Sequence, residues 1–465
     1  MSLILFPEAV IKRRRRLGLP AWLIHSLSCT HFLRQCPPLL VVIQEWTKED
    51  ATDGRNTLPA SVDLFKAQRT ILAACGSFTE ILQVPQRRIL EVANQYFEAR
   101  ALHIAVEHRV ARHLAKVDQA VGMPISELSK ATGLHPEKLS RIMRALCSMH
   151  IFAEVQDGSF ANNTVSAALA TNEALEAHVL LVAWVYHPAS AKLLEIVGDP
   201  VKGWSNSATD SAFQEGHGTK LSFWDWLEEG IIQPDGCVKP RPALEQFTVS
   251  MANNSGLLGT PPFYYFPWES LSSATMVDVG GGVGGMSFDL CNHFPLLNFV
   301  VQDRPAVIEK AEPVWLRERP EALKAGRVKF MPHDFFTENP VKGADVYLLR
   351  HILHDWEDDR CVDILSALRS VLSPHSRVLV VDLVMNTTLG CPEIPSAPFP
   401  LLANYGTSIR FAHESDLKMM SLVNGAERVP GDVLSIAQRA GLEVTRIWEC
   451  PGDCVIEMRL PTVRQ

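Results

Sequence analysis

The sequence predicts an α/β protein, a doubly wound and mostly parallel sheet preceded by a helical module that ends in a winged helix. Three observations support this fold. Short β-rich runs alternate with helical stretches after Ala274, a helix–turn–helix pattern with a hairpin signal occupies residues 125–163, and a glycine-rich turn follows an apolar run at 278–284. Strands that alternate with helices are typical of a parallel sheet with helices on both faces.

The composition is that of a globular protein with two or three domains. The chain has 465 residues, a hydrophobic fraction of 47% and a net charge of −8, and domains commonly hold about 100–200 residues. The acidic balance argues against a nucleic-acid partner held through a broad basic surface. The ten cysteines lack the paired spacing of a metal site, which favours free thiols in a reducing, cytoplasmic compartment.

Residues 1–58 form an extension to which the sequence assigns no role. A basic run, Lys12–Arg16, precedes an apolar stretch, Leu17–Leu33, that proline, serine and histidine interrupt. A membrane helix needs about 20 largely apolar residues, and a signal peptide needs a cleaner apolar core. We therefore expect no membrane partner. The basic run would also suit nuclear import, but a solvated tail is the preferred interpretation.

The helical module follows the extension. From Ile81 to Lys116 apolar residues recur at helical spacing, which predicts two long amphipathic helices. Two shorter helices are expected to begin near Ser126 and Pro136, with Gly133 as the stop signal between them. Asp157-Gly158 then marks a hairpin. Two helices and a hairpin wing in this order describe a winged helix.

A winged helix can read DNA or serve as a dimerisation scaffold. As a DNA reader, its second helix would offer Lys138, Arg141 and Arg144 to a groove. The same helix is rich in leucine, isoleucine and methionine, and the apolar helix before it suits contact with another subunit. We favour the dimerisation role and keep a DNA-binding regulator with a cofactor-sensing domain as the alternative hypothesis.

Residues 170–260 are predicted to be mostly helical, with aromatic clusters at 223–226 and 263–268. Such clusters are usually core, although they also suit the wall of a pocket for a flat ligand. The sheet is predicted to follow, and its strand candidates are Met276–Val279, Phe299–Gln302, Val328–Met331, Asp345–Leu349 and Val378–Val381. Ligands of such sheets bind outside the carboxyl ends of the strands.

The first of these strand ends carries a cofactor-like turn. Gly280, Gly282 and Gly284 stand at alternate positions, and glycine lets a backbone turn sharply and approach a ligand closely. With Gly285 they also satisfy the dinucleotide fingerprint, so the turn alone does not separate NAD from other nucleoside cofactors.

Acidic residues end the next two predicted strands. Asp303 lies about 20 residues beyond the turn, where a carboxylate can accept bonds from ribose hydroxyls. Asp334 is placed to receive an adenine amino group, with Phe335 beside it for stacking. A single strand-end aspartate is often only a helix cap, but two in register with a glycine turn indicate a nucleoside site, for either NAD or S-adenosylmethionine.

His354 lies where the fourth predicted strand gives way to a helix. An imidazole with an ordinary pKa near 6.5 can accept a proton at neutral pH, which a phenol with a pKa near 10 requires as its oxygen attacks. Asp382 ends the next strand, and the topology could bring its carboxylate to the imidazole. For an isolated histidine, a purely structural role would be the preferred interpretation.

The chain from about Ala93 to Met458 resembles the plant and fungal small-molecule O-methyltransferases that use S-adenosylmethionine, of the caffeic-acid and flavonoid type, and most of all the fungal secondary-metabolite members. The resemblance rests on several short motifs that occur in the family's order. They are VDVGGGVGG (277–285), QDRP (302–305), PHDFF (332–336), LRHILHDWEDD (349–359), VLVVD (378–382), DLKMM (416–420) and NGAERV (424–429). This arrangement excludes the NAD interpretation.

The resemblance implies a domain order and a set of site residues. Residues 59–168 would be a winged-helix dimerisation domain and 169–465 a Rossmann-like catalytic domain, and the chain would form a homodimer without nucleic acid. The residues expected to bind S-adenosylmethionine are Gly280, Gly282, Asp303, Asp334, Phe335 and Arg350. The general base would be His354, with Asp382 and Glu427 as its carboxylate partners. Met419 or Met420 would clamp the acceptor ring, as a flexible thioether can.

Four positions depart from the family's common pattern. Arg350 stands where lysine is frequent, and Asp382 replaces glutamate, so that its carboxylate reaches one methylene less far. Ala426 and Val429 replace the lysine and threonine of a common GKERT motif. These departures bear on substrate and fine geometry, because the histidine is retained.

The expected reaction is direct methyl transfer to a hydroxyl of a small aromatic or polyketide-like metabolite, phenolic in the leading interpretation. Holding donor and acceptor in line supplies much of the rate, since effective molarities of about 10⁵ M or more are attainable. No metal is implied, because His351 and His354 have no dedicated third ligand nearby in the sequence.

Overall fold

The structure, a computed structural model, describes residues 62–252, 266–450 and 452–462. The predictions for residues 1–58 lie outside them, as does part of the aromatic cluster at 263–268. The described residues divide into two compact units. The first joins helix α1 (Val62–Leu82) to the segment Asn386–Arg410, and the second contains the rest.

In the first unit, α1 lies against a short 3₁₀ turn, Gly406–Ile409. The approach is close at Gly76, where an ideal Cβ would overlap the Thr407 side chain. The Arg69 guanidinium covers the Tyr405 ring at 3.8 Å from its centroid, a favourable cation–π geometry.

The second unit begins with small helices and a three-stranded sheet of order β1-β3-β2. Its elements are α2 (Pro85–Asn94), α3 (Tyr96–Glu107), α4 (Val110–Leu114), β1 (Met123–Pro124), α5 (Ile125–Thr132), α6 (Pro136–Ser148), β2 (Phe152–Gln156), β3 (Ser159–Asn162) and α7 (Thr164–Thr171). Helix α5 ends at Gly133 with a φ of 73°, and Gly158 turns the hairpin with a φ of 70°. The predicted helix pair and hairpin therefore lie where the sequence indicated.

The prediction of two long helices between Ile81 and Lys116 was wrong. The structure has a break before Pro85, which occupies the first turn of α2, a second at Gln95 between α2 and α3, and a third at Arg109. Arg109 takes a left-handed conformation with a φ of 53°, which no helix continues through. Apolar periodicity persists across all three breaks, so periodicity alone could not locate them.

The next stretch is mostly helical, as predicted. It comprises α8 (Glu173–Leu181), a π-helical turn (Val182–Tyr186), α9 (His187–Ser190), α10 (Leu193–Val197), a 3₁₀ turn (Lys202–Trp204), α11 (Ala212–His217), α12 (Phe223–Glu228), β4 (Ile231–Ile232), β5 (Val238–Lys239) and α13 (Pro242–Ala252). Phe223, Phe266 and Trp268 are at most 2% exposed, so the aromatic clusters contribute core residues. Among the described residues, one stretch, Glu173–Val197, is long and apolar enough by composition to cross a membrane, a test that core helices also pass.

A seven-stranded sheet of order β11-β12-β10-β9-β6-β7-β8 forms the rest of the unit, in which β12 pairs antiparallel with β10 and β11 and the other neighbouring strands pair parallel. Its elements, after a 3₁₀ turn at Trp268–Leu271, are β6 (Thr275–Val279), α14 (Gly285–His293), β7 (Asn298–Asp303), α15 (Pro305–Glu318), α16 (Pro320–Lys324), β8 (Val328–Pro332), β9 (Val346–Arg350), a 3₁₀ turn (Leu353–Asp355), α17 (Asp358–Arg369), β10 (Arg377–Asp382), α18 (Arg410–Val423), α19 (Pro430–Arg439), β11 (Glu443–Trp448) and β12 (Cys454–Arg459).

All five predicted strands are present, each within one residue of its predicted ends. Two buried apolar clusters cover the faces of the sheet, one around Trp315 and the other around Tyr347. Strand β6 lies between β7 and β9, so the chain reverses direction across the sheet there. Such a switch point is where doubly wound sheets bind ligands, and the glycine turn follows β6 directly.

Candidate active site

The glycine turn after β6 has the backbone that its sequence predicts. Gly280, Gly282 and Gly284 all have positive φ, at 69°, 61° and 87°. An ideal Cβ on Gly280 would lie 2.6 Å from Ile352 Cδ1, so only glycine fits there. At Gly282 the same construction meets no atom within 4 Å, which leaves open space beside the backbone.

Asp303, at the end of β7, is hydrogen-bonded to the turn. Its Oδ2 accepts from the Gly282 backbone N–H at 2.8 Å, and its Oδ1 accepts from the Arg304 N–H at 2.7 Å. Burial raises the pKa of Asp303 above its usual range, and these two hydrogen bonds oppose the rise. The Asp303 carboxylate therefore links the carboxyl end of β7 to the glycine turn after β6.

Asp278 is a site-positioning residue that the sequence reasoning missed. It is buried in β6, where its Oδ2 accepts from Ser287 Oγ at 2.6 Å. An ideal Cβ on Gly281 would lie 2.5 Å from Asp278 Cγ, so the carboxyl group supports the turn from below. Burial raises the pKa of Asp278 to about 6. Its position as an acidic residue within an otherwise apolar strand was the feature of the sequence that could have identified it.

Asp334 and Phe335 follow β8 and point to different surroundings. Asp334 is exposed, and its Oδ1 accepts from the Phe336 N–H at 3.0 Å, which closes a local turn. Phe335 lies beside the glycine turn, since an ideal Cβ on Gly280 would be 3.5 Å from Phe335 Cε1. The structure thus brings Phe335 to the turn and leaves the Asp334 side chain at the surface.

Arg350 ends β9 in a largely buried position and has an unexpected partner. Its Nη2 lies 3.7 Å from Asp453 Oδ2, and the same oxygen is 2.9 Å from His351 Nε2. Arg350 Nε is buried without a hydrogen-bond partner among the described residues. Asp453 was missed because it precedes β12, a strand that the sequence reasoning did not predict.

These strand ends fit S-adenosylmethionine. The close approach at Gly280 and the open space at Gly282 make a cradle for a nucleoside, and the Asp303 carboxylate at its edge can accept from ribose hydroxyls. Arg350 offers an unpaired buried donor for the carboxylate of the methionine part. Asp303, Phe335 and Arg350 are the residues that would hold the cofactor.

His354 lies in the 3₁₀ turn after β9, with its side chain about one-tenth exposed. Its Nδ1 is 3.0 Å from Glu427 Oε1, and the same oxygen accepts from Ser415 Oγ at 2.8 Å. The Glu427 backbone N–H donates to Asp416 Oδ1 at 2.9 Å. Helix α18 therefore fixes Glu427, and Glu427 fixes the imidazole.

The charges around His354 make it a strong base. Burial alone would lower the pKa of His354, but the carboxylates of Asp355, Glu427 and Asp382 outweigh that effect and raise it to about 10. Asp355 Oδ1 lies 3.6 Å from His354 Nε2. The sequence reasoning started from an ordinary histidine pKa and passed over Asp355, although it is the next residue in the chain.

Asp382 lies near His354 but makes no hydrogen bond to it. Its Oδ1 is buried without a partner among the described residues. Burial raises the pKa of Asp382 to about 8, with Glu427 and Asp453 adding to the rise and His354 opposing it. Of the two expected carboxylate partners, the structure therefore hydrogen-bonds Glu427 to the imidazole, whereas Asp382 acts on it only through its charge.

Met419 and Met420 occupy adjacent positions on α18 with different surroundings. Met419 is buried and belongs to an apolar cluster that also contains Tyr186, Phe213 and Phe223. Met420 is half-buried and lies outside that cluster. The aromatic residues come from the helices between 173 and 228, which the sequence assigned to a pocket wall or to core.

The chain matches the models of two domain families, an O-methyltransferase dimerisation domain over residues 90–172 and an O-methyltransferase domain over residues 239–443. The O-methyltransferase gedA of Aspergillus terreus is 45% identical over 461 residues, which cover 92% of this chain and 94% of that protein. The O-methyltransferase tpcA of Aspergillus fumigatus is 44% identical over 451 residues, covering 90% and 93%.

A solved structure gives the same fold with a cofactor product in place. CalO1, described as a methyltransferase in calicheamicin biosynthesis and solved with S-adenosylhomocysteine bound, has a TM-score of 0.60 and 25% identity, covering 82% of this chain and 100% of that one.

Proposed function

This chain belongs to the S-adenosylmethionine-dependent O-methyltransferase family, and we propose that it methylates a phenolic hydroxyl of a small aromatic or polyketide-like secondary metabolite, with His354 as the general base. The observation that carries the proposal is the His354–Glu427 hydrogen bond, 3.0 Å long, at the same sheet edge as the glycine turn. A base and a cofactor cradle at one edge are what methyl transfer to a hydroxyl requires.

In this proposal, Glu427 determines which nitrogen of His354 reacts. With Nδ1 hydrogen-bonded to Glu427, Nε2 is left to accept the hydroxyl proton, as in other carboxylate-oriented imidazoles. Asp355 Oδ1, at 3.6 Å from Nε2, lies on the side from which the acceptor hydroxyl would approach. The acceptor hydroxyl would therefore compete with Asp355 for the imidazole.

The raised pKa of His354 bears on the order of events. With a pKa of about 10, the imidazole holds a proton at neutral pH. The cofactor supplies a transferable methyl group on a positively charged sulfonium, and like charges in a buried site lower the pKa of a nearby cationic acid. The sulfonium charge would therefore lower the pKa of His354 and increase the fraction of neutral imidazole, which is the form that can take the proton from the acceptor.

Gly280, Gly282, Asp303, Phe335 and Arg350 would bind the cofactor, with Asp334 contributing only after its side chain leaves its own turn. Asp382 would act through the local charge rather than by direct contact with the imidazole. Met419 would contact the acceptor from within the aromatic cluster. We assign this role to Met419 rather than to Met420, because Met420 is half-buried and lies outside that cluster.

We also propose a homodimer formed through the domain at residues 59–168. Helix α2 exposes Ile89 and Leu90 at 69% and 63%, and Phe97, at the start of α3, is 58% exposed. A row of exposed large apolar side chains is typical of a surface that another subunit covers. The catalytic domain would span 169–465, and a cytoplasmic location is in keeping with such an enzyme.

The alternative of a DNA-binding regulator has no supporting observation. Arg144, one of its three expected groove contacts, is ion-paired with Glu154 at 2.9 Å and with Asp157 at 3.0 Å. Its guanidinium is therefore already committed within the hairpin module.

The test is product identification. Purified protein is incubated with isotopically labelled S-adenosylmethionine and a panel of phenolic aromatics, and the position of the label is read by NMR. We expect label on a phenolic oxygen. Label on nitrogen or carbon, or no transfer to any phenol under conditions where S-adenosylhomocysteine binds, would overturn the proposal.

A further inference from the structure

Lys418 is a cation in the acceptor side of the site that the mechanism does not use. It lies on α18 between Leu417 and Met419, and its side chain is half-buried. Its Nζ is 5.8 Å from the centroid of the Tyr186 ring. Tyr186 belongs to the same buried cluster as Met419 and Phe223, so the ammonium lies at the edge of an aromatic wall.

This ammonium has no close partner among the described residues. In the described part of the chain, no carboxylate lies within ion-pair distance of Nζ and Nζ makes no hydrogen bond, whereas the Lys418 backbone carbonyl accepts from Ser421 Oγ at 2.8 Å. Glu427 and Asp355 act on it from farther away, and burial lowers the pKa of Lys418. A half-buried cation with three free donors is stabilised when a ligand supplies an acceptor.

The surroundings also limit what that ligand can be. His178 lies near Lys418, and burial together with the Lys418 charge lowers the pKa of His178 to about 4, so this imidazole is neutral. The His178 Nδ1 is already hydrogen-bonded to Ser250 Oγ at 3.1 Å. Glu427 Oε1 is hydrogen-bonded to His354 and Ser415, and Glu427 Oε2, buried without a partner among the described residues, offers an acceptor and no positive charge. Within the described ranges, Lys418 is thus a cation without a close partner that is available to a ring lying against Tyr186.

We propose that the Lys418 ammonium is a specificity-determining group that binds an anionic oxygen of the acceptor, a carboxylate or an acidic phenolate other than the hydroxyl that is methylated. This assignment rests on the proposed function, because it takes the space between His354 and Tyr186 as the acceptor site. The acceptor class that follows is a hydroxylated aromatic acid or a polyphenol with one acidic hydroxyl.

The experiment measures equilibrium binding in the presence of S-adenosylhomocysteine. The probes are 2,4-dihydroxybenzoate and its methyl ester for the carboxylate arm, and 4-nitrocatechol for the phenolate arm, since its absorbance reports ionisation. The variants are Lys418→Met, which keeps the length and removes the charge, and Lys418→Arg, which keeps the charge. Lys310→Met, at an exposed position on α15, is the matched control.

We expect the wild-type protein and the control to prefer the acid over the ester by about tenfold or more, or to bind 4-nitrocatechol as the phenolate below its solution pKa. A tenfold preference corresponds to about 1.4 kcal/mol. Lys418→Met should abolish the preference and Lys418→Arg should retain most of it. Thermal melting verifies that each variant is folded.

The two proposals fail in different ways. If neither anionic probe is preferred by the wild-type protein, or if Lys418→Met weakens acid and ester equally, the assignment of Lys418 is overturned, even where methylation of neutral phenols proceeds. If the preference and its loss are observed but no phenol is ever methylated, the proposed function is overturned and the binding role of Lys418 stands.

Discussion

Replacement of Glu427 by glutamine should move the pH profile of catalysis towards acid. In the wild-type protein, Glu427 Oε1 lies 3.0 Å from His354 Nδ1 and 2.8 Å from Ser415 Oγ. The substitution keeps the shape of the side chain and an oxygen that can accept from both groups. It removes the negative charge that favours the protonated imidazole. In the wild-type protein, His354 has a pKa raised to about 10, so activity should grow as pH rises and the imidazole loses its proton.

The size of the shift follows from the hydrogen bond that is weakened. A hydrogen bond to a charged group contributes roughly 1.5–3 kcal/mol, and one pKa unit corresponds to about 1.36 kcal/mol. Loss of the Glu427 charge should therefore lower the pKa of His354 by roughly one to two units. The acid limb of kcat/KM for the acceptor, measured at saturating cofactor, should move to lower pH by that amount.

The assay compares kcat/KM from pH 6 to 10.5 for the wild-type protein, Glu427→Gln and a surface control, Glu309→Gln, on the exposed side of α15. The control should superpose on the wild type. A fall in kcat/KM by the same factor at every pH, with an unmoved acid limb, would mean that Glu427 only packs against His354. A limb displaced towards alkaline pH would contradict the electrostatic argument altogether.

Three further predictions concern stability, cofactor affinity and assembly. Burial raises the pKa of Asp382 to about 8, so its contribution to stability is present below its ordinary pKa and is lost as pH rises through about 8. Asp382→Asn should flatten the fall of Tm between pH 5 and 9, and an unchanged slope would contradict this. Gly280→Ala places a Cβ 2.6 Å from Ile352 Cδ1 at a φ of 69°. Because left-handed strain costs about 1–2 kcal/mol, this variant should bind S-adenosylhomocysteine about tenfold more weakly in calorimetry. Unchanged affinity would refute this prediction. Ile89→Asp puts a charge on the exposed apolar face of α2 and should yield monomers in light scattering, whereas a persistent dimer would assign the interface elsewhere.

The sequence was informative wherever a side chain's position follows from a strand end. Gly280, Asp303, Phe335, Arg350 and His354 come to one edge of the sheet because parallel strands end at one edge. Alternating strands and helices were enough to predict that edge, and the glycine spacing was enough to mark a cofactor-like turn after β6, whereas the strand order that makes this turn a switch point came from the structure.

The order of strands and helices alone does not predict the partners of these residues, because the partners depend on side-chain reach and on segments that come from elsewhere in the chain. The family resemblance named both Asp382 and Glu427 as partners of His354, and it is Glu427 that makes the bond to the imidazole. Asp453 reaches Arg350 from the turn before β12, a strand whose sequence gave no clear signal. Lys418 precedes Met419 and Met420, which were predicted to clamp the acceptor ring, but the sequence does not show that its ammonium lacks a close partner among the described residues.

The most direct test of His354 as the base is a paired measurement on the wild-type protein and His354→Ala. S-adenosylhomocysteine affinity is measured by calorimetry, and single-turnover methyl transfer to a phenolic acceptor is measured by mass spectrometry. General-base catalysis contributes about 10²–10⁴-fold, so the variant should lose that much rate while its cofactor affinity stays within about twofold of the wild type. Single-turnover transfer at the wild-type rate would contradict the assignment.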